Sequence, residues 1–73
     1  MLTMTRAELR LLARFWWRRL VREPAYWGRG DSPRTLRISR RLHAIALLLD
    51  EGEMFDIGEE EVRRARRPGG AAG

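Results

Sequence analysis

The chain has 73 residues, including fifteen arginines but no lysine and no cysteine, and its formal net charge is +5. This length allows one small domain with a limited core. The lack of cysteine excludes disulfides, thiolate metal sites and a cysteine nucleophile. The longest apolar run, AIALLL, is far shorter than the roughly 20 residues of a membrane span, and charged residues interrupt the N-terminal region. A soluble, cytoplasmic protein is expected.

Charge is segregated along the chain. Residues 1–41 hold eleven arginines against three acids, residues 42–61 hold seven acids and no arginine, and residues 62–73 add four arginines. Such a chain is a strong dipole rather than a uniformly basic particle. A protein adapted only to nucleic acid would have little use for so dense an acidic block, so nucleic acid is the less favoured partner.

The first helix is predicted over residues 5–22. Thr5 and Glu8 have the T-x-x-E spacing of a capping box, and Pro24 ends the pattern. At about 100° per residue, one stripe is apolar and the opposite ridge is basic. The stripe consists of Leu9, Leu12, Ala13, Trp16 and Leu20, and the ridge of Arg10, Arg14, Arg18 and Arg22.

Three consecutive aromatic residues, 15–17, cover too wide an arc of this helix for one partner helix to bury. We expect a third helix, the loop around Tyr26 and Trp27, a second subunit in a homodimer, or a target to cover the rest. Tryptophan beside arginine also suits a membrane interface or an RNA stacking platform.

A second helix is predicted to begin at Ser32 and Pro33, as N-cap and first helical residue, and to stop at Gly52. Its apolar stripe consists of Thr35, Ile38, Leu42, Ile45, Ala46 and Leu49. The expected fold class is therefore all-α: an antiparallel two-helix hairpin over residues 1–52, with a possible short third helix.

Residues 53–67 form a short segment that is first acidic and then basic. Asp56 is predicted to cap a short helix there, which should fray unless Met54 and Phe55 dock on the hairpin. Two i, i+4 ion pairs would support it, Glu59–Arg63 and Glu60–Arg64. Residues 68–73 are expected to be a disordered tail.

Ser39 and His43 lie one helical turn apart and so share a face of the second helix. A catalytic triad is not predicted, because Asp50 lies two turns from His43 on the same flank and cannot orient the imidazole. A single histidine, without cysteine or a calcium-loop pattern, predicts no metal site. This polar flank is either a solvated shoulder or a surface that contacts a partner.

The stretch SPRTLRISRRLHAIALLL, residues 32–49, resembles the second helix of the stage-zero sporulation E-like aspartyl-phosphate phosphatases of endospore-forming bacteria. Those proteins are small helical hairpins whose second helix carries a Ser-Gln-Glu-Leu-Asp motif. Ser39 and Leu42 match the motif here, while Arg40, Arg41 and His43 replace its glutamine, glutamate and aspartate. The surroundings also match, at Ser32-Pro33, Leu36, Ile38 and Ile45, and the resemblance covers about residues 5–50.

The resemblance implies a negative regulator of sporulation in two-component signalling. Such a protein binds the phosphorylated receiver domain of a response regulator and acts as a protein phosphatase on its aspartyl phosphate. The implied partner-binding residues are Leu36, Ser39, Arg40, His43 and Asp50. The Mg²⁺ of the reaction would belong to the receiver domain, and the protein itself is expected to need no cofactor.

His43 is the candidate catalytic residue, since it stands where the family has its important aspartate. A neutral imidazole can hold a water or act as a base, but it does not reproduce the charge of a carboxylate. Of the family's two properties, binding to a receiver domain is therefore more readily expected of this chain than catalysis. Two alternatives stay open: a non-catalytic receiver-binding protein, and an arginine-rich helical module that binds nucleic acid through the first-helix ridge and a second ridge of Arg34, Arg37 and Arg41.

Overall fold

The computed structural model describes residues 3–30 and 32–66, and all regular structure within them is helical. The predicted all-α class is confirmed. In chain order the elements are α1 (Arg6–Leu20), a 3₁₀ helix (Pro24–Trp27), α2 (Pro33–Ala46) and α3 (Glu51–Arg66). Among the described residues, no helix is long and apolar enough to cross a membrane.

Helix α1 begins at the predicted capping box. The backbone N–H of Glu8 donates to Oγ1 of Thr5 at 3.1 Å, and the backbone N–H of Thr5 donates to Oε1 of Glu8 at 2.7 Å. The bond from the Thr5 backbone lowers the pKa of Glu8. The helix ends at Leu20, two residues before the predicted end, and the chain then enters the 3₁₀ helix that starts at Pro24.

Helix α2 begins as predicted, with the Ser32 hydroxyl accepting the backbone N–H of Arg34 at 3.2 Å and Pro33 as the first helical residue. The predicted stop at Gly52 is wrong, because α2 ends at Ala46 and Gly52 lies in the first turn of α3. The helix breaks where Asp50 can cap the next one: its Oδ1 accepts the backbone N–H of Glu53 at 2.8 Å.

Helix α3 has sixteen residues and is longer than the short helix predicted. Its cap is Asp50 rather than Asp56. Met54 docks in the core, whereas Phe55 stays exposed. Both predicted i, i+4 pairs are present, Glu59–Arg63 at 2.9 Å and Glu60–Arg64 at 2.8 Å. Residue 67 and the predicted tail, 68–73, lie outside the described residues.

Helix α1 lies at the centre of the fold and packs against both α2 and α3. Both predicted apolar stripes point into the core, and α3 adds two residues of its own. The buried core cluster consists of Leu9, Ala13, Leu20, Ile38, Leu42, Ile45, Leu49, Met54 and Ile57. Burying these side chains is the main favourable term in folding a domain of this size.

The aromatic run of α1 is largely covered within the chain. Trp16 and Trp17 pack against the core cluster, and Trp17 meets the edge of Tyr26, with ring centroids 6.3 Å apart. Trp27 is held near by, since its indole N–H donates to the carbonyl oxygen of Val21 at 2.7 Å. Phe15 remains about half exposed. The loop of Tyr26 and Trp27 and the third helix thus supply much of the predicted cover.

Candidate functional site

Arg10, Arg14 and Arg18 of the basic ridge, together with Arg6 one turn before them, face acids of α3 and its cap, Asp50. Two of the arginines, Arg6 and Arg10, share Glu53, and two others, Arg14 and Arg18, share Glu61. In chain order the pairs are Arg6 with Asp50 and Glu53, Arg10 with Glu53 (3.4 Å), Arg14 with Glu60 (3.5 Å) and Glu61 (3.8 Å), and Arg18 with Glu61 (3.1 Å). Because the pairs advance together along both helices, α1 and α3 run parallel.

We call this row of ion pairs between α1 and α3 the ion-pair ladder. Within it, Glu61 lies near three arginines and is only 2% exposed. Its Oε1 accepts the Nε–H of Arg18 at 3.1 Å, and this bond raises the pKa of Arg18. Its Oε2 accepts no hydrogen bond from the described residues, but lies 3.8 Å from Nε of Arg14 and 3.6 Å from Nη1 of Arg64. A buried carboxylate without cations would be costly, so these arginines fix where Glu61 can dock.

Gly58 lets α3 approach α1 closely one turn before Glu61. A Cβ added to Gly58 would lie 2.5 Å from Cζ2 of Trp17, a distance that side-chain carbons do not tolerate. The indole therefore occupies the space of a missing side chain. Helix-favouring residues are normally better than glycine in a helix interior, so this glycine marks a steric requirement.

Gly58 and Glu61 were both missed at the level of sequence. The available signal was the matched segregation of charge, +8 over residues 1–41 against −7 over residues 42–61. Two helical segments of opposite charge in one small domain can pair with each other before either meets a partner. Arg10, Arg14 and Arg18 are therefore already paired with acids of α3, which makes them poor candidates for binding nucleic-acid phosphates.

Asp50 does not lie where the sequence reasoning placed it. Since α2 ends at Ala46, Asp50 is not on the same helix as His43, and that expectation is wrong. Its Oδ1 caps α3, and its Oδ2 lies 3.3 Å from Nη2 of Arg6. The backbone N–H of Glu53 holds the pKa of Asp50 below its ordinary value. A partner-binding role for Asp50 stays a prediction, but its carboxylate already has two structural bonds.

The remaining predicted site residues share one exposed surface, which we call the α2 flank. It consists of Leu36, Ser39, Arg40 and His43. At 100° per residue they span about 100° of the helix surface, beside the buried stripe. All four are exposed, and Leu36 is 55% exposed. None of these side chains makes a hydrogen bond or ion pair within the described part of the chain.

Ser39 and His43 border a shallow groove of about 300 Å³ whose floor includes Trp17, Leu42 and Met54. The groove thus joins the α2 flank to the apolar interior where α1, α2 and α3 meet. It offers one imidazole and one hydroxyl but no lining carboxylate. Across residues 3–30 and 32–66 no three potential ligand side chains cluster to hold a metal ion.

Comparisons with protein-family profiles, with curated proteins and with solved structures find no match for this chain.

Proposed function

We propose that this protein is a cytoplasmic helical-hairpin regulator that binds the phosphorylated receiver domain of a response regulator through the α2 flank. The proposal starts from the resemblance of residues 32–49 to the sporulation phosphatases. The observation that carries it is that Leu36, Ser39, Arg40 and His43 are all exposed on one side of α2. They have no part in the core cluster, so a partner can use them without disturbing the fold.

Contacts at both ends of the helices support an antiparallel arrangement of α1 and α2. Next to the C-terminus of α1, Oε1 of Glu23 accepts hydrogen bonds from the hydroxyls of Ser32 (3.5 Å) and Thr35 (3.2 Å) at the start of α2. Beyond the other end of α2, Asp50 reaches Arg6 at the start of α1. A hairpin tied at both ends, with α3 packed on α1, presents the α2 flank on a rigid support.

Charge and shape favour an anionic partner at this flank. Arg40 gives the flank a positive charge, and an aspartyl phosphate is an anion that a guanidinium binds well. Leu36 offers an apolar anchor at one end, as exposed leucines do in helical interfaces. The groove beside Ser39 and His43 gives room for a projecting loop or side chain of the partner.

The chemical step proposed for this interface is hydrolysis of the aspartyl phosphate. A water attacks the phosphorus in line, the bond from phosphorus to the aspartate oxygen breaks, and inorganic phosphate and the free carboxylate result. The neutral imidazole of His43 orients the water and takes its proton. Mg²⁺ held by the receiver domain would supply the charge that neutralises the phosphoryl oxygens, so the proposed step calls for no metal on this chain.

Phosphate loss from a phosphorylated sporulation-type receiver domain tests the chemical step. We expect wild type to accelerate it, His43→Ala to abolish the acceleration, and His43→Asp, which restores the family's aspartate, to retain or exceed it. Acceleration unchanged in His43→Ala would remove His43 from the mechanism. Binding without acceleration by any of the three proteins would identify a non-catalytic receiver-binding protein instead.

Binding itself is tested with two leucines of similar exposure. Leu36 lies on the α2 flank and Leu11 on the outer side of α1, and they are 55% and 66% exposed. We expect Leu36→Glu to weaken receiver binding by about ten-fold or more, and Leu11→Glu to leave it unchanged. Equal affinities of the two variants, measured by titration calorimetry, would refute the α2 flank as the binding surface.

A further inference from the structure

A second basic surface, which we call the arginine seam, lies where α1 and α2 meet, on the side of α2 opposite to the α2 flank. It consists of Arg19 of α1, Arg22 in the turn that follows α1, and Arg34 and Arg41 of α2. All four side chains are exposed. None of them has an ion-pair partner among residues 3–30 and 32–66, in contrast to the arginines that face α3.

The acidic block of the sequence does not neutralise this seam. Its acids at positions 53, 60 and 61 pair with Arg10, Arg14 and Arg18. Glu61 approaches the seam only at Arg22, with which it lines a separate cavity. Within the described residues the four seam arginines therefore keep their charge unpaired. The acidic block argued against a nucleic-acid partner at the level of sequence, and its internal pairing removes that objection for this surface.

Three arginines of the seam converge on one small cleft. Arg19, Arg22 and Arg34 line a cavity of about 190 Å³ together with Glu23 and Ile38. Glu23 is the one carboxylate that the described residues contribute to this lining, and its Oε1 already accepts hydrogen bonds from the hydroxyls of Ser32 and Thr35. The cleft thus carries an excess of positive charge, presented by guanidinium groups whose planar donors match phosphate oxygens.

Aromatic rings continue the seam beyond the cleft. The guanidinium carbons of Arg19 and Arg41 lie 5.7 and 5.6 Å from the ring centroid of Trp16. Arg19 also lies 5.5 Å from the ring of Phe15, which is about half exposed. The seam therefore presents charged donors next to an accessible aromatic ring, the combination on which unpaired bases stack.

We propose that the arginine seam binds the phosphodiester backbone of single-stranded nucleic acid, with Phe15 stacking on a base. The inference does not depend on receiver binding, because the seam and the α2 flank share no residue. A cleft lined by three guanidinium groups between two helices suits the phosphates of a strand that runs along it, and the adjacent aromatic ring suits a base rather than a lipid headgroup. Stacking on Phe15 requires an unpaired base, which favours a single strand over a duplex.

Fluorescence anisotropy with a labelled oligothymidylate of about twelve nucleotides tests the inference at salt concentrations from about 50 to 200 mM. For wild type we expect log affinity to fall linearly with log salt, by about 0.7 per phosphate neutralised. The double variant Arg22→Gln/Arg34→Gln should bind about ten-fold more weakly and lower that slope by about 1.4. Phe15→Ala should also weaken binding about ten-fold, but leave the slope unchanged.

The matched control is Arg63→Gln/Arg66→Gln, which removes the same two charges from exposed positions on α3. It should change affinity by less than about two-fold. Equal weakening by both double variants would overturn the seam in favour of diffuse attraction by net charge. Wild type that binds vesicles of anionic lipid but not the oligonucleotide, or that binds duplex and single strand equally, would also overturn the proposal. Far-ultraviolet circular dichroism of each variant establishes that it is folded.

Discussion

The two sides of α1 use the same residue type in opposite ways. Toward α3, Arg14 and Arg18 are held by acids and converge on the buried Glu61. Toward α2, Arg19 and Arg22 meet a helix that contains four arginines and no acid, and they remain unpaired within the described chain. The spacing of arginines along one helix therefore does not determine what they do. The charge of the opposite helix decides whether they stabilise the fold or remain available to a ligand.

The same contrast holds for packing. On the α2 side the contact is a conventional apolar interface of residues such as Leu20, Ile38 and Leu42. On the α3 side it combines Met54 and Ile57 with a glycine, a half-covered indole and a buried carboxylate. The α3 interface thus depends on a few positions with strict requirements, and substitutions there should have the larger effects on stability.

The largest effect is expected for Gly58→Ala. Helix propensity alone would make alanine more stable by about 1 kcal/mol, but the new Cβ would lie 2.5 Å from Trp17, and overpacking of this kind costs about 1–3 kcal/mol. Because 2.5 Å is a severe approach, the cost should lie at the upper end of that range, which leaves a net loss of about 2 kcal/mol in the free energy of unfolding and a melting temperature roughly 10 °C lower in thermal denaturation.

A thermodynamic cycle with Trp17→Leu isolates the steric cause. In that background the clash is gone, so Gly58→Ala should become neutral or stabilising. Gly52→Ala, in the first turn of the same helix, is the matched control: its Cβ would lie 3.2 Å from Oδ1 of the exposed Asp50 side chain, which can shift, and stability should change by less than about 1 kcal/mol. An alanine at position 58 that stabilises the wild-type background would show that α3 does not approach Trp17 as described.

Local signals in the sequence predicted the starts of α1 and α2 and the core stripes, because capping and periodicity act over a few residues. Thr5 with Glu8, and Ser32 with Pro33, are such signals. The predicted end of α2 is wrong because Gly52 is not the stop signal of that helix. A stronger one was present in Asp50, whose side chain caps the following helix.

Long-range features could not be predicted in the same way. Periodicity placed Arg14 and Arg18 on one ridge, but it could not say which residues would face that ridge. It also underestimated α3, whose few apolar residues are supplemented by ion pairs and by the close approach at Gly58. For the candidate site, periodicity placed Ser39 and His43 on one face, and the structure adds that both border a common groove. Their partner-binding role stays a prediction.

A smaller effect is expected for Glu61→Gln, which keeps the shape of the side chain but removes the charge shared by Arg14 and Arg18. We expect a loss of about 1 kcal/mol in chemical denaturation, since the arginines can turn partly to solvent while the site loses charge-assisted hydrogen bonding. Glu59→Gln is the control, because Glu59 is exposed and, among the residues that the structure describes, pairs only with Arg63, one turn along α3. It should cost less than about 0.5 kcal/mol. Equal losses of stability in the two variants would mean that the burial of Glu61 does not strengthen its ion pairs.

The smallest effect concerns pH and the cap of α3. The backbone N–H of Glu53 lowers the pKa of Asp50 in the folded state, so the unfolded chain binds a proton at Asp50 more readily. The resulting stabilisation is complete well above the ordinary aspartate pKa of about 3.9 and is lost as the pH falls through the lower, folded value.

Asp50→Asn keeps a side-chain acceptor for the cap but cannot titrate. Denaturation curves from neutral pH to about pH 2 should therefore show wild type more stable at neutral pH, with the difference shrinking below about pH 4. Glu8, whose pKa is lowered in the same direction, titrates in both proteins and cancels from the difference. A difference that stays constant down to pH 2 would show that the charge of Asp50 does not contribute to the cap.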